Sequence, residues 1–215
     1  NNALDNFYGR GILKSTNSGN SWTPTQIVAN NQVTLFTIHF PTLSIGWAAG
    51  TGGALMSTSD GGAHWFVRTA PEHTLRGAAS TGPNNGYVVG DAGTILRTRD
   101  GGVSWESVTS NTSQNLTAVF LANATIGYAV GDNGIILKSS DGGSNWIDIS
   151  ASSTTRDYKS VFFLTPDLGW VAGVGGTRLC EWWFTEHAVM IDTAGRYTTQ
   201  DSDADVDRAG WDKFL

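Results

Sequence analysis

The chain has 215 residues, with 27 Gly, nine Trp and a charged fraction of only 15%. That length suits one domain of moderate size, or one domain with an appendage, and the composition suits short strands joined by tight turns rather than helices. A net charge of −6 argues against a nucleic-acid partner, because phosphate binding needs a basic face.

In chain order the predicted elements form a repeat. A partial unit at 7–28 runs from Gly11-Ile-Leu-Lys-Ser15 to Trp22 and supplies two strands. Full units follow at 33–69, 74–109 and 115–150, and a partial unit at 158–173 opens with the two strands around Gly169-Trp-Val-Ala-Gly173. Gly46, Gly86 and Gly127 open equivalent strands, and Trp65, Trp105 and Trp146 close equivalent turns, at spacings of 40 and 41 residues. In the third full unit the strands are Leu116–Leu121, Gly127–Val130, Ile135–Ser139 and Trp146–Ile149, each apolar and separated by Gly, Asn or Asp. Four strands in about 41 residues match a blade of a β-propeller, typically roughly 40–50 residues long. No apolar stripe of helical period occurs in the repeat, which excludes a solenoid of helix pairs.

The turn between third and fourth strands is the sharpest signature. It reads Thr58-Ser-Asp60-Gly-Gly-Ala-His-Trp65, Thr98-Arg-Asp100-Gly-Gly-Val-Ser-Trp105 and Ser139-Ser-Asp141-Gly-Gly-Ser-Asn-Trp146. This is the Asp-box pattern, in which the carboxylate accepts backbone amides across its own turn and the Trp packs on a neighbouring sheet. Asn17 takes the Asp position in the partial first copy, ahead of Trp22. A carboxylate repeated in every blade is scaffold chemistry. A catalytic one would belong to a single blade.

The units from Gly86 to Trp105 and from Gly127 to Trp146, with Gly90-Asp91-x-Gly and Gly131-Asp132-x-Gly inside them, resemble the photosystem II stability and assembly factor family of BNR/Asp-box propellers. The resemblance covers roughly residues 7 to 173. It implies a non-catalytic scaffold that binds a protein partner without cofactor or metal, outside the cytoplasm. It also implies basic surfaces for that partner, which singles out Arg97, Arg99 and Lys138 as a contact strip. Such family members are typically seven-bladed, and this chain has three full and two partial units. The expectation is therefore an open arc of blades, with self-association possible through the open faces. The alternative is a four-bladed ring, closed by a mixed blade from residues 10–28 and 158–173.

After Gly173 the repeat stops, and residues 174–215 form a second unit. Trp182-Trp-Phe-Thr185 and Ile191-Asp-Thr-Ala-Gly-Arg-Tyr-Thr-Thr-Gln-Asp201 are similar to the GTPase-like domain of the IcmF-type inner-membrane protein of type VI secretion systems. Asp192 and Gly195 have the Asp-x-x-Gly form of a nucleotide switch, but no Gly-x-x-x-x-Gly-Lys-Ser/Thr phosphate cradle accompanies them. The structural expectation is a β-hairpin of Trp182–Phe184 and Ala188–Ile191 turning at Glu186-His187, able to pair with the incomplete last blade, followed by a short irregular or helical tail. Two families meeting in one chain read as a fusion, a recombinant or an assembly artefact.

The remaining candidates are weak. His39, His64, His73 and His187 lack paired metal spacing, and Asp201, Asp203, Asp205 and Asp207 lack the Gly turn and closing Glu of a calcium loop. A sialidase-like hydrolase or a lectin is the glycan-active alternative, but the blade arginines are scattered and no nucleophile–base pair is assignable. No apolar run approaches the roughly 20 residues that span a bilayer, and no signal segment opens the chain. The start on Asn1 reads as a processed product or an excised fragment. One cysteine, Cys180, allows no internal disulfide.

Overall fold

Second strands that read Gly-Trp-Ala-Ala-Gly or Gly-Tyr-Val-Val-Gly carry no polar face, and a strand without one must be covered on both sides. The computed structural model, which describes residues 12–27, 33–150, 155–174, 187–191 and 197–198, covers them in that way. A partial blade holds β1 (Leu13–Lys14) paired antiparallel with β2 (Thr23–Pro24), and β3 (Gln26–Ile27) follows it. The first blade holds β4 (Leu35–His39), β5 (Gly46–Gly50), β6 (Leu55–Thr58) and β7 (His64–Val67). The second holds β8 (Leu75–Ser80), β9 (Gly86–Gly90), β10 (Ile95–Thr98) and β11 (Glu106–Val108). The third holds β12 (Leu116–Leu121), β13 (Gly127–Gly131), β14 (Ile136–Ser139) and β15 (Ile147–Asp148). Each is an antiparallel meander, and β5, β9 and β13 are buried along their whole length. β3 adds an outer strand to the first blade, pairing in parallel with β7.

The fourth sheet differs from the expected hairpin. β16 (Asp157–Thr165) and β17 (Leu168–Val174) continue the repeat, and β17 then pairs with β18 (His187–Ile191), which pairs with β19 (Tyr197–Thr198). His187 therefore begins a strand instead of sitting in a turn. The strand partner of 187–191 within the C-terminal segment is 197–198, while Trp182–Phe184 and the tail lie outside the described residues. The mixed blade does not form, because β18 occupies the edge of β17 that residues 10–28 would have needed. Among the described residues no sheet joins the two ends of the run.

Apolar clusters straddle consecutive blades and hold the stack together. Tyr87, Val89 and Ile95 of the second blade pack on Leu116, Leu137 and Trp146 of the third. Tyr128, Val130 and Ile136 of the third pack on Tyr158, Val161 and Phe163 of the fourth. A directed contact recurs at each junction. Trp47 Nε1 donates to the Gly101 carbonyl in the next blade at 3.0 Å, and the Tyr87 hydroxyl donates to the Gly142 carbonyl. The glycine that follows is needed for this approach: a Cβ on Gly102 would stand 2.2 Å from Trp47 Nε1, and one on Gly143 would stand 2.4 Å from the Tyr87 ring. Without an Asp-box glycine to reach, Tyr128 donates instead to the Pro166 carbonyl at 3.2 Å.

The Asp-box indoles complete these junctions from the other side. Trp105 meets Trp47 edge-on at 5.4 Å between centroids, and Trp146 meets Tyr87 at 6.1 Å. Trp65 packs with Ile12 of the partial blade. The indole N–H groups of Trp65, Trp105 and Trp146 meet no protein acceptor, so the rings act through apolar contact. Trp146 is 1% exposed and Trp22 is 59% exposed. Trp146→Ala is therefore expected to lower unfolding free energy by about 3–5 kcal/mol, and Trp22→Ala by less than about 1 kcal/mol in the monomer. Urea denaturation followed by circular dichroism checks the difference, and equal losses would contradict the burial pattern.

Candidate functional site

Thr58, Asp60 and their counterparts are tied into their own turns. The Thr58 hydroxyl accepts from the Asp60 and Gly62 amides at 3.3 and 2.9 Å and donates to Asp60 Oδ1 at 2.8 Å. Asp60 Oδ1 also accepts the His64 amide at 3.0 Å. Thr98 with Asp100, and Ser139 with Asp141, repeat the pattern on the amides of Ser104 and Asn145. In the partial blade Ser15 and Asn17 do the same without the charge, Asn17 Oδ1 accepting the Ser21 amide at 2.9 Å. These amide donors favour the ionised carboxylate. The His64 amide holds Asp60 far below the ordinary carboxylate range, and the Asn145 amide and side chain hold Asp141 at about 2. Partial burial opposes the effect at Asp100, but the hydrogen bonds from Ser104 and Thr98 outweigh it and bring that group to about 2 as well.

The expected basic strip divides between two blades. Arg97 and Arg99 both face Glu106, with Arg97 Nη2 at 2.8 Å and Arg99 Nε at 3.6 Å. Arg97 also reaches across to the next blade, donating from Nη1 to Ser144 Oγ at 3.0 Å, and only 11% of its side chain is exposed. It is a strut between blades. Lys138, one blade further on, has its Nζ 5.6 Å from the Tyr128 ring centroid. A cleft of about 230 Å³ between the second and third blades is lined by Arg97, Arg99, Asp141 and Ser144, among others. Asp192 and Gly195 lie outside the described residues.

A second set of charges, not singled out by the sequence reading, gathers where the first strands begin. The residue after the one that pairs with the closing glycine of the second strand is Phe36, Arg76, Thr117 and Lys159 in successive blades. Opposite it, the turn leaving the second strand carries Asp91 in the second blade and Asp132 in the third. Arg76 binds Asp91 through two donors, Nε to Oδ1 at 2.5 Å and Nη2 to Oδ2 at 3.1 Å. Its guanidinium carbon also lies 5.9 Å from the Phe36 ring centroid. Lys159 crosses from the fourth blade to Asp132 Oδ1 at 2.8 Å and lies 3.4 Å from Asp157 Oδ2. Asn115 bridges the middle, donating to Asp132 Oδ2 at 3.0 Å and accepting the Ala92 amide at 3.1 Å.

The electrostatics follow from those contacts. Burial raises Asp132, but the hydrogen bonds of Lys159 and Asn115 and the charges of Lys159 and Arg76 outweigh it, so the carboxyl lies below its ordinary value. Burial lowers Lys159 and Asp132 more than restores it, while the Asp91 hydrogen bond raises Arg76. Asp132, Lys159 and Arg76 are therefore charged at neutral pH. Arg76 and Lys159 remain 36% and 46% exposed, so both keep donors available to a ligand. The arrangement can hold carbonyl and carboxylate groups along a line spanning three blades. Among the described residues no group of three His, Cys, Asp or Glu side chains could hold a metal. No helix there is long and apolar enough to cross a membrane.

Comparison with known proteins agrees with the repeat. A family model described as photosynthesis system II assembly factor YCF48 matches residues 14–108 and 71–154. An ancestral GH74 enzyme superposes with a TM-score of 0.71 at 21% identity, over 88% of this chain and 28% of its own. YCF48 from Cyanidioschyzon merolae superposes with a TM-score of 0.55 at 14% identity, over 66% of this chain and 49% of its own. At such identities the likeness speaks for the fold. TssM1, a type VI secretion component of Pseudomonas aeruginosa, is 68% identical over 47 residues, which are 22% of this chain and 4% of that protein. The chain thus spans about half or less of each of these relatives.

The Asp-box carboxylates set a pH dependence with a defined sign. Their folded values lie below the ordinary 3.8, so their stabilisation is complete above that value and is lost as pH falls toward about 2. Carboxyl carbon shifts in an acid titration are expected to place Asp100 and Asp141 near 2. Melting temperature should fall over the same interval. Midpoints near 3.8 would show that the turns do not hold these groups.

Proposed function

The chain belongs to the photosystem II assembly factor YCF48 family, and from that premise we propose that it is a non-catalytic scaffold that binds a protein partner. The observation that carries the reading is the row of paired charges from Arg76 through Asp91, Asn115 and Asp132 to Lys159, ending beside Phe36. It crosses three blades and presents hydrogen-bonding groups at intervals set by blade spacing. An extended peptide segment is the ligand such a row suits, since its carbonyls and side chains recur along a line. Phe36, 51% exposed, supplies an apolar end point for a partner side chain. A place outside the cytoplasm belongs to the same proposal and rests on family resemblance. No secretion role is assigned to the C-terminal segment, which matches only a small fraction of TssM1.

Selection of a displayed random-peptide library on the purified chain tests the proposal. Enriched peptides are expected, and the double variant Arg76→Gln, Lys159→Gln should bind them about tenfold or more weakly. No enrichment, or enrichment indifferent to the two substitutions, would overturn the assignment of this row. Turnover of xyloglucan oligosaccharides or fluorogenic glycosides, abolished by a single carboxylate substitution, would replace it with a glycan-active reading.

A further inference from the structure

The two ends of the blade run are complementary halves of the junction that recurs between blades. Trp170 pairs in register with Phe162, as Trp47 does with His39, Tyr87 with Ala79 and Tyr128 with Phe120. It therefore occupies the position whose ring, in earlier blades, reaches a carbonyl of the following blade. Trp47, Tyr87 and Tyr128 are at most 3% exposed, and each has that carbonyl partner. Trp170 is only half-buried and stacks on Phe162 of its own sheet at 6.3 Å. Phe162 and Leu164 lie on the same face and are 52% and 66% exposed. Their counterparts Phe120 and Ala122 are packed against the fourth blade.

The other end shows the matching surface. In the partial blade, Leu13, Gly19 and Trp22 occupy the positions of Leu137, Gly143 and Trp146. Leu137 and Trp146 are 0% and 1% exposed under the second blade, whereas Leu13 and Trp22 are 55% and 59% exposed. The space above Gly143 is filled by Tyr87, and nothing lies within 4 Å of a Cβ built on Gly19. A ring can therefore enter over Gly19 and reach the Ser18 carbonyl, as Tyr87 enters over Gly143 and reaches that of Gly142.

We propose that the Trp170 face of the fourth blade docks on the Leu13–Gly19–Trp22 face of a second copy of this chain, head to tail. The occupant is specified by the repeat: what covers such a face at the first two interior junctions is an Asp-box blade, at the third it is another blade of the repeat, and each copy carries an Asp-box-like blade with its face open. The two surfaces differ, so the contact is heterologous and builds rings or open rows instead of stopping at a two-fold dimer. This inference stands on the repeat geometry and is independent of the charged row.

Sedimentation velocity of the full chain between about 1 and about 100 μM tests it, a range that detects association of moderate strength. Growth of the sedimentation coefficient with concentration is expected. Trp170→Glu and Trp22→Glu should each shift association about tenfold or more to higher concentration. Mixing the two variants should give a one-to-one pair that grows no further, because each keeps one intact face. Leu164→Glu and Leu13→Glu form a second pair at well-exposed positions, for use if either Trp variant loses its fold. A monomer throughout the range overturns the proposal, whether the face stays open or closes within one chain. Association that survives substitutions at both ends overturns it equally.

Discussion

An aromatic side chain that reaches from the second strand of one blade to the Asp-box carbonyl of the next is the contact on which the rest of this structure depends. Trp47 meets Gly101 in this way and Tyr87 meets Gly142. The contact fixes one sheet against the following one in distance and rotation at once, because a hydrogen bond constrains direction and the ring beside it fills the space. It also explains the turn chemistry. The carboxylate and hydroxyl of each Asp-box organise the amides so that the carbonyl points back toward the preceding blade, and glycine leaves room for the ring. Stability in such a stack is a sum over nearest-neighbour junctions, so an unpaired end is an unspent junction.

Aspartate serves two separate purposes here. Asp60, Asp100 and Asp141 are held ionised by amides of their own turns and act within one blade. Asp91 and Asp132 belong to the turns after the second strands and pair with cations from first strands, Asp132 with one from the following blade. The second pair lies in the row proposed to receive a ligand. The same charge, placed at the two ends of a third strand, is scaffold in one place and candidate recognition surface in the other.

The fourth sheet shows how tolerant a strand edge is of its partner. Residues 187–191 come from a segment similar to a different family, and they pair with β17 over Gly169 to Gly173. Backbone hydrogen bonds carry no sequence identity, so an apolar strand of the right length can fill a position the repeat leaves empty. What such a strand cannot supply is the Asp-box, and Tyr128 accordingly turns to the Pro166 carbonyl.

The sequence by itself determined the blade count among full units, the strand order within each, and the turn in which Asp60, Asp100 and Asp141 are locked. These are local matters, decided by strand period, glycine and the reach of a side chain across four residues. It also carried the clue to Arg76 and Lys159, since both follow the first buried residue of a first strand, but it gave no reason to join them to Asp91 and Asp132. That adjacency, the burial of Arg97 as a strut and the parallel pairing of Gln26–Ile27 were decided by tertiary structure alone, as was the register in which β17 takes up residues 187–191. Each depends on how one sheet is rotated and spaced against the next. That relation is set by packing between residues far apart in the chain, which no local spacing encodes.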